Sequence, residues 1–283
     1  MRESSEAAGI DLSSLAAMGV GSPGAVDAST GTVAQARNLP DWEGVFPLGP
    51  TLTKELGPPV YLGNDVNVAV EAEFLLGAGK PYSSMIGVWW GTGVGGGIIL
   101  EGKEWLGRGA AGEIGHTVVT LNGAKCPCGR RGCLEAYAGR AAMEARARRL
   151  VARGKKTDLF KIMEQRGRTR LSSGVWERAL ERGDKVAVAL VDRAVAALGA
   201  GIASAVNLLD VEAVVIGGGL GTRLGQPYAD RIAKAMTPHL FVDERPPAVH
   251  AAQLGDYGGA LGAALLTEPA PEAAPTRVAP AAC

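Results

Sequence analysis

Along the chain, short apolar runs that end in glycine alternate with longer stretches of helical period. In AAMGVGSPGAVD, residues 16–27, an apolar run meets Ser-Pro-Gly and reads as a buried strand entering a tight loop. PPVYLGNDVNVAVEAEFLLGAG, residues 58–79, reads as a strand from Pro59 to Leu62, a polar turn, and an amphipathic helix closed by Gly77. SSMIGVWWGTGVGGGIIL, residues 83–100, reads as two strands folded back around a glycine-rich turn. Helical periodicity covers 134–165 and 184–208, and EAVVIGGGLG, residues 212–221, returns to a strand that runs into glycines. The alternation makes the chain α/β, and no repeat of solenoid period interrupts it.

Composition narrows the class of ligand. The 283 residues are enough for two lobes, at about 150 residues per domain. With 29 acidic and 29 basic residues the formal charge is zero, which argues against a nucleic-acid or anionic-membrane partner and for a small neutral or metabolite ligand. Glycine and alanine break every apolar run, so none reads as a membrane span. The start, MRESSEAAGI, is charged and lacks the apolar core of a secretory signal. These features place the chain in the cytoplasm, where thiols stay reduced and a cysteine cluster points to a metal rather than to disulfides. EPAPEAAPTRVAPAAC, residues 268–283, is almost all Pro, Ala and small polar residues and is expected to be disordered. Cys283 is the last residue, so it does not form a prenylation box.

Candidate chemistry gathers in three places. His116, Cys126, Cys128 and Cys133 supply one imidazole and three thiolates, a closed set that suits structural zinc. Gly129 and Gly132 lie between the last two of them, where the chain must turn sharply. Three cysteines within eight residues make poor core hydrophobes; a nucleophile paired with His116 is the other reading. A bound metal would also fix Glu113 and Glu135 relative to the imidazole, a grouping that suits polyol hydroxyls; without it both are ordinary surface acids.

Gly91–Gly97 lets backbone amides approach an anion and suits phosphate, while Gly217–Gly221 follows a buried strand and suits a nucleotide's base or ribose. Neither matches the P-loop, and the dinucleotide spacing fits only loosely. Asn64-Asp65 lies at the C-terminal end of a strand, where open α/β sheets bind ligands, although either residue could simply cap the helix that begins near Val66.

Taken together, E-x-G-H at 113–116, C-x-C-G-x-x-G-C-x-E at 126–135, N-D at 64–65, G-T-G-V-G-G-G at 91–97 and S-P-G-x-V-D at 22–27 resemble the ROK family of sugar kinases and sugar-responsive repressors, in particular its glucokinase branch. The resemblance runs from about Met18 to Leu266. It implies an actin-like ATPase (ribonuclease H-like) fold with a cleft between two α/β lobes: an N-terminal lobe, 1–82, joined by the last helix, 256–267, and a C-terminal lobe, 83–255, with the zinc loop and glycine turns. It further implies ATP-dependent phosphorylation of glucose at the 6-hydroxyl, with Asp65 as general base. Asn64, Glu113, His116 and Glu135 would hold the sugar and Gly24 would lie against it. Magnesium-bound ATP would rest on Gly91, Thr92, Gly93, Gly95 and Gly96, with Gly217, Gly218 and Gly219 near its adenosine. N-acetylmannosamine kinases share most of these residues, fructose and allose kinases of the family are further alternatives, and family members are commonly dimers or tetramers.

The chain departs from the pattern in two respects. Kinases of the family carry a D-x-G-G-T phosphate turn ahead of the segment matching MGVGSPG, but only 17 residues precede Met18, and MRESSEAAGIDLSSLAA reads as the end of a helix and its exit. The N-terminal lobe is therefore expected to be incomplete, and the 283 residues to phosphorylate little glucose. A repressor would need an N-terminal helix-turn-helix, for which there is neither room nor a basic patch; a non-catalytic sugar-binding remnant is the third reading. Trp89-Trp90 also places two bulky side chains where small or β-branched residues are expected.

Overall fold

The computed structural model describes residues 2–36 and 42–268, so the tail beyond Glu268, expected to be disordered, lies outside the described residues. A short helix α1 (Arg2–Ala8) leads to β1 (Met18–Ser22), and the small strands β2 (Ala25–Asp27), β3 (Thr32–Ala34) and β4 (Val45–Phe46) follow. The chain then continues through α2 (Leu48–Leu56), β5 (Val60–Asn64) and α3 (Asp65–Leu76). Strands β1 and β5 pair in parallel, with Met18 opposite Val60 and Ser22 opposite Asn64. β2, β3 and β4 form a separate antiparallel sheet.

The next part is built on β6 (Met85–Trp90), β7 (Val94–Leu100) and β8 (Lys103–Glu104), followed by the helices α4 (Glu135–Ala138), α5 (Arg140–Ala152), α6 (Leu159–Gln165), α7 (Ser173–Glu181) and α8 (Lys185–Leu209). It closes with β9 (Ala213–Gly217), α9 (Gly218–Met236), β10 (Ala248–Ala251) and α10 (Gly258–Leu265). The five-stranded sheet has the order β10-β9-β6-β7-β8; the first three strands are parallel and the β6–β7 and β7–β8 pairs antiparallel. Such a mixed sheet, buried on both faces by helices, accounts for the nearly continuous apolar runs of β6 and β9.

Where the periodicity of 134–165 predicts one helical stretch, three helices form. The backbone leaves helical geometry at Gly139 (φ −59°, ψ 132°), and Gly154 is in the left-handed region (φ 81°). α9 is interrupted at Gly225 (φ 65°) two residues before Pro227, which cannot continue the hydrogen-bond ladder. No separate polar turn follows Leu62: β5 extends to Asn64 and α3 begins at the next residue. The two tryptophans fit because they face opposite sides of the sheet. Trp90 is fully buried and donates its indole N–H to the Ala138 carbonyl at 2.7 Å, whereas Trp89 lies against Gly217, where the neighbouring strand has no side chain.

Helix α3 is the shared element of the fold. Its Val70 packs into the space left by Gly87 and Gly97 on the large sheet, and its Val68 carbonyl touches Gly262 of α10 so closely that a Cβ there would overlap it. α10 rests in the same way on β1, through Ala263 against Gly19. At the other end of α3, Glu73 is 1% exposed and accepts two backbone N–H groups, from Ala78 at 3.0 Å and from Leu254 at 2.7 Å. A buried carboxylate satisfied in this way ties the C-terminal end of α3 to the segment leading into α10. Among the described residues, α8 alone is long and apolar enough to cross a membrane by length and composition, but 61% of its most apolar window is buried inside the protein, against α4 and α9.

A pH dependence follows from the outer flank of α3. Burial, with the negative charge of Glu71 added, pushes the Glu104 carboxyl up from 4.5 to about 7. Between those values the folded state holds a proton that the unfolded chain releases, so the stability contributed is complete below about pH 4.5 and is lost as pH rises through 7. Glu104→Gln is expected to flatten the fall in melting temperature between pH 5 and pH 8; an unchanged slope would show that the pair does not couple to folding.

Candidate active site

The strand-to-helix junction holds the first group of residues. Asn64 leaves β5 with extended backbone (φ −69°, ψ 140°) and caps α3, its Oδ1 accepting the N–H groups of Val66 at 3.0 Å and Asn67 at 3.2 Å. Its Nδ2 donates to the Gly24 carbonyl at 3.2 Å, which ties the loop after β1 to the head of the helix. Gly24 sits at φ 98°, and a Cβ there would lie 2.5 Å from the Ala34 carbonyl oxygen, so the loop closes only with glycine.

Asn64 thus takes the capping role, and Asp65 becomes the first residue of α3, with the Val66 N–H donating to its carboxylate at 3.0 Å. Asp65 reaches solvent, yet protein crowds it on enough sides that burial pushes its carboxyl above 3.8, partly offset by hydrogen bonds from the backbone.

The glycine segment approaches from the large sheet. Trp90 pairs with Val94, so Gly91, Thr92 and Gly93 form the hairpin turn, while Gly95 and Gly96 lie within β7. Gly95 packs against Val66, the residue after Asp65, and Gly96 lies under the Gly112 carbonyl; close packing is the role the geometry gives these two. The Val94 N–H donates to Glu135 Oε2 at 3.0 Å, and Gly93 lies so close to the same carboxylate that a side chain there would displace it. The start of β7 therefore connects the head of α3 to Glu135. Gly217 ends β9, Gly218 (φ 77°) sits beside the Trp90 backbone, and Gly219 faces Gly91 across the opening.

Around Glu135 the loop after β8 folds into a donor set. Cys128 Sγ and Cys133 Sγ are 3.7 Å apart, Cys126 Sγ is 3.8 Å from His116 Nδ1, and the four ligand atoms all lie within 4.8 Å of one another. No disulfide joins these thiols. A tetrahedron with metal–sulfur bonds of about 2.3 Å has sulfur–sulfur edges of about 3.8 Å, close to the Cys128–Cys133 and Cys126–His116 separations, so the set is compatible with a four-coordinate metal ion. Burial, the largest influence on Cys126, pushes its thiol up to about 12 when no cation is near, and a bound cation would reverse that cost. His116 keeps its second nitrogen free, 3.9 Å from Glu113 Oε2, and Glu135 Oε1 is 3.7 Å from Cys126 Sγ. Glu113, His116 and Glu135 are thereby brought together around one donor set, and Asn64, Asp65 and Gly24 around one helix head.

The structure adds residues that the sequence patterns did not mark. Arg140 donates to Thr92 Oγ1 at 2.8 Å and to Ser173 Oγ at 2.6 Å, and its own N–H donates to the Gly91 carbonyl at 3.1 Å. It therefore locks the hairpin turn to the start of α7. Burial lowers its guanidinium from the usual value, which Glu144 opposes. Behind it opens a cavity of about 510 Å³ lined by Arg140, Arg166, Arg168, Arg223 and the first residues of α7. The alternating arginines of RGRTR, residues 166–170, are the local signal for it.

A mixed sheet flanked by helices, with a carboxylate at a helix head and glycine-rich turns at the strand ends, defines a helix-flanked α/β protein. The ROK family model matches residues 6–270, and the chain belongs to the ROK family, with its actin-like ATPase fold. It is 36% identical over 254 residues to a glucokinase of Thermotoga maritima, covering 87% of this chain and 77% of that one. It is 35% identical to an N-acetylmannosamine kinase of Haemophilus influenzae, over 77% of this chain and 66% of that protein. Among solved structures, a ROK family glucokinase from Streptomyces griseus, in complex with glucose and AMPPNP, superposes with a TM-score of 0.78 at 36% identity, covering 93% of this chain and 83% of that one.

The raised carboxyl of Asp65 has a consequence for stability. Ionising it costs more in the folded than in the unfolded state, so its contribution favours folding at low pH and fades as pH rises through its folded value. Asp65→Asn is expected to melt above the parent protein at pH 7, with the gap narrowing toward pH 4. A lower melting temperature at pH 7 would show that Asp65 is held as a stabilising helix-terminal charge.

Proposed function

We propose that the protein is an ATP-dependent glucokinase, transferring the terminal phosphoryl group of ATP to the 6-hydroxyl of glucose. The observation that carries this reading is the continuous set of contacts from Asp65 through Val66 and Gly95 to Val94 and Glu135, which links the helix head that would carry the base to the carboxylate that would hold the sugar. The named activities of the Thermotoga maritima and Streptomyces griseus relatives support it.

In this mechanism Asn64, Glu113, His116 and Glu135 hold the sugar hydroxyls, with Gly24 against the ring. Asp65 accepts the proton of the attacking hydroxyl as the new oxygen–phosphorus bond forms. Phosphoryl transfer depends mainly on alignment and charge stabilisation, so an ordinary carboxylate, only modestly raised, is sufficient. The Gly91–Gly93 turn, with Thr92 fixed by Arg140, would receive the phosphates, and Gly217–Gly219 would border the adenosine; a magnesium ion on the phosphates would neutralise their developing charge.

The four-donor set of His116, Cys126, Cys128 and Cys133 would hold zinc in a structural role, because no coordination position stays open for substrate. Its effect would be to fix His116 and Glu135. The reading divides the chain into a sugar-binding lobe of residues 1–82 completed by 256–267 and a lobe of 83–255, and it places the protein in the cytoplasm. The similarity to N-acetylmannosamine kinase makes that sugar the main competitor of glucose, and a panel of hexoses with ATP decides between them.

Two outcomes test the proposal. Elemental analysis of reduced protein should find about one zinc per chain, and Cys128→Ser should lose both the zinc and most of the sugar affinity while the large-sheet core stays folded; zinc-free protein with full sugar affinity would end the structural-metal reading. Asp65→Asn should keep sugar affinity and, in an otherwise phosphorylation-competent form of the protein, lose roughly 100-fold or more in turnover, the usual scale for a general base. Normal turnover in that variant would remove Asp65 from the chemistry.

A further inference from the structure

Two segments carry the chain between the two proposed lobes: 77–84, from the end of α3 to β6, and 252–257, from β10 to α10. One side chain holds both. Glu73 Oε2 accepts the Ala78 N–H of the first segment at 3.0 Å, and Oε1 accepts the Leu254 N–H of the second at 2.7 Å. At 1% exposure the carboxylate lies beyond the reach of bulk water, so each donor depends on it.

The surroundings of Glu73 are built around this double grip. Its main-chain carbonyl accepts the N–H groups of Gly77 at 3.1 Å and Gly79 at 2.8 Å, and a Cβ at Gly77 would overlap the carboxylate itself. A second link joins the same regions: Tyr82, in the first segment, is hydrogen-bonded to Nε2 of His250, just ahead of the second, at 2.7 Å. Ala78, Met85 and Ala252 share one apolar cluster with Val70 of α3.

Farther along α3 the contacts change in kind. Val66 and Val70 meet the large sheet at Gly95, Gly87 and Gly97, an apolar contact with no directional bond to break when the helix turns. At Glu73 the bonds are directional. Asp65 lies eight residues from Glu73 on the same helix, about 12 Å along its axis. A rotation of about 10° about Glu73 would therefore move Asp65 by about 2 Å, and an error of about 1 Å can already cost on the order of 100-fold in rate.

We infer that Glu73 is the pivot on which the two lobes close over the sugar, and through that motion a positioning residue for Asp65. The inference rests on the two-lobe kinase reading above. Gln at this position has one acceptor oxygen and turns an NH₂ group toward the other donor, so it releases one of the two segments. Ala releases both.

The test uses the full chain with Glu73→Gln, Glu73→Ala and, as a control for lost stability alone, Leu198→Ala, a core change in α8 away from both segments. Hydrogen exchange should show Ala78 or Leu254 losing protection in the Gln variant and both losing it in the Ala variant. Small-angle X-ray scattering should show the parent contracting on glucose, and the unliganded Glu73 variants more expanded than the parent. Calorimetric titration should find glucose bound about tenfold more weakly by the Gln variant, the scale of one lost bond to a charged group. The control should melt lower yet scatter and bind as the parent does.

Each alternative result is decisive. Unchanged scattering in both Glu73 variants, or an expansion shared by the control, overturns the pivot, as does a parent that binds glucose without contracting. Parent-like glucose affinity in both variants overturns the positioning role. A parent that binds no glucose defeats the sugar-kinase reading, and scattering of the unliganded proteins then decides the pivot alone.

Discussion

Strand β5 passes into helix α3 with no intervening residue, because Asn64 is at once the last residue of the strand and the cap of the helix. That junction sets the direction of α3, and with it the position of Asp65 at the head of the helix. The amide that caps the helix also holds the Gly24 carbonyl, so one side chain coordinates the β1 loop, the strand end and the helix start. Everything else in the site is placed by reference to that helix: β7 by the contact of Gly95 with Val66, and Glu135 by the bond from Val94.

The donor loop works on the same scaffold from the other side. Its four donor atoms come from a segment of eighteen residues folded back on itself by backbone hydrogen bonds, among them Leu134 N–H to the Thr117 carbonyl at 2.9 Å, which join the neighbours of His116 and Glu135. Arg140 does the equivalent for the hairpin turn, joining it to α7 by side-chain and main-chain hydrogen bonds together. The surroundings of Glu135 and the hairpin turn thus carry different chemistry, a metal-type donor set in one case and hydrogen bonds in the other, and meet at Val94.

Much of the architecture could be read from the sequence because it rests on local rules. The strand ending in Asn-Asp, the hairpin of SSMIGVWWGTGVGGGIIL and the helix of 184–208 all follow from period and punctuation, and the clustering of His116 with three cysteines follows from ligand type. What the patterns missed depends on contacts between distant segments. Gly95 and Gly96 look like phosphate-loop residues in the sequence, but the register Trp90–Val94 puts them in a strand. Arg140 and Ser173 are 33 residues apart and meet only because α5 and α7 start at the same edge. The Trp89-Trp90 pair looked out of place until the opposite strand proved to have a glycine beneath Trp89.

The glycine contacts around α3 also affect how tolerance to substitution would map onto this protein. Gly262 and Gly19 touch backbone atoms of their neighbours, far from any reacting group, and a single added methyl at either must push apart two main chains. Asp65, by contrast, can change to a side chain of the same shape with no packing penalty. A survey that scored variants by growth or abundance would rank the silent glycines level with Asp65, or above it. In this fold, intolerance to mutation marks where backbones meet, and only a measurement that separates folding from turnover will pick out the chemistry.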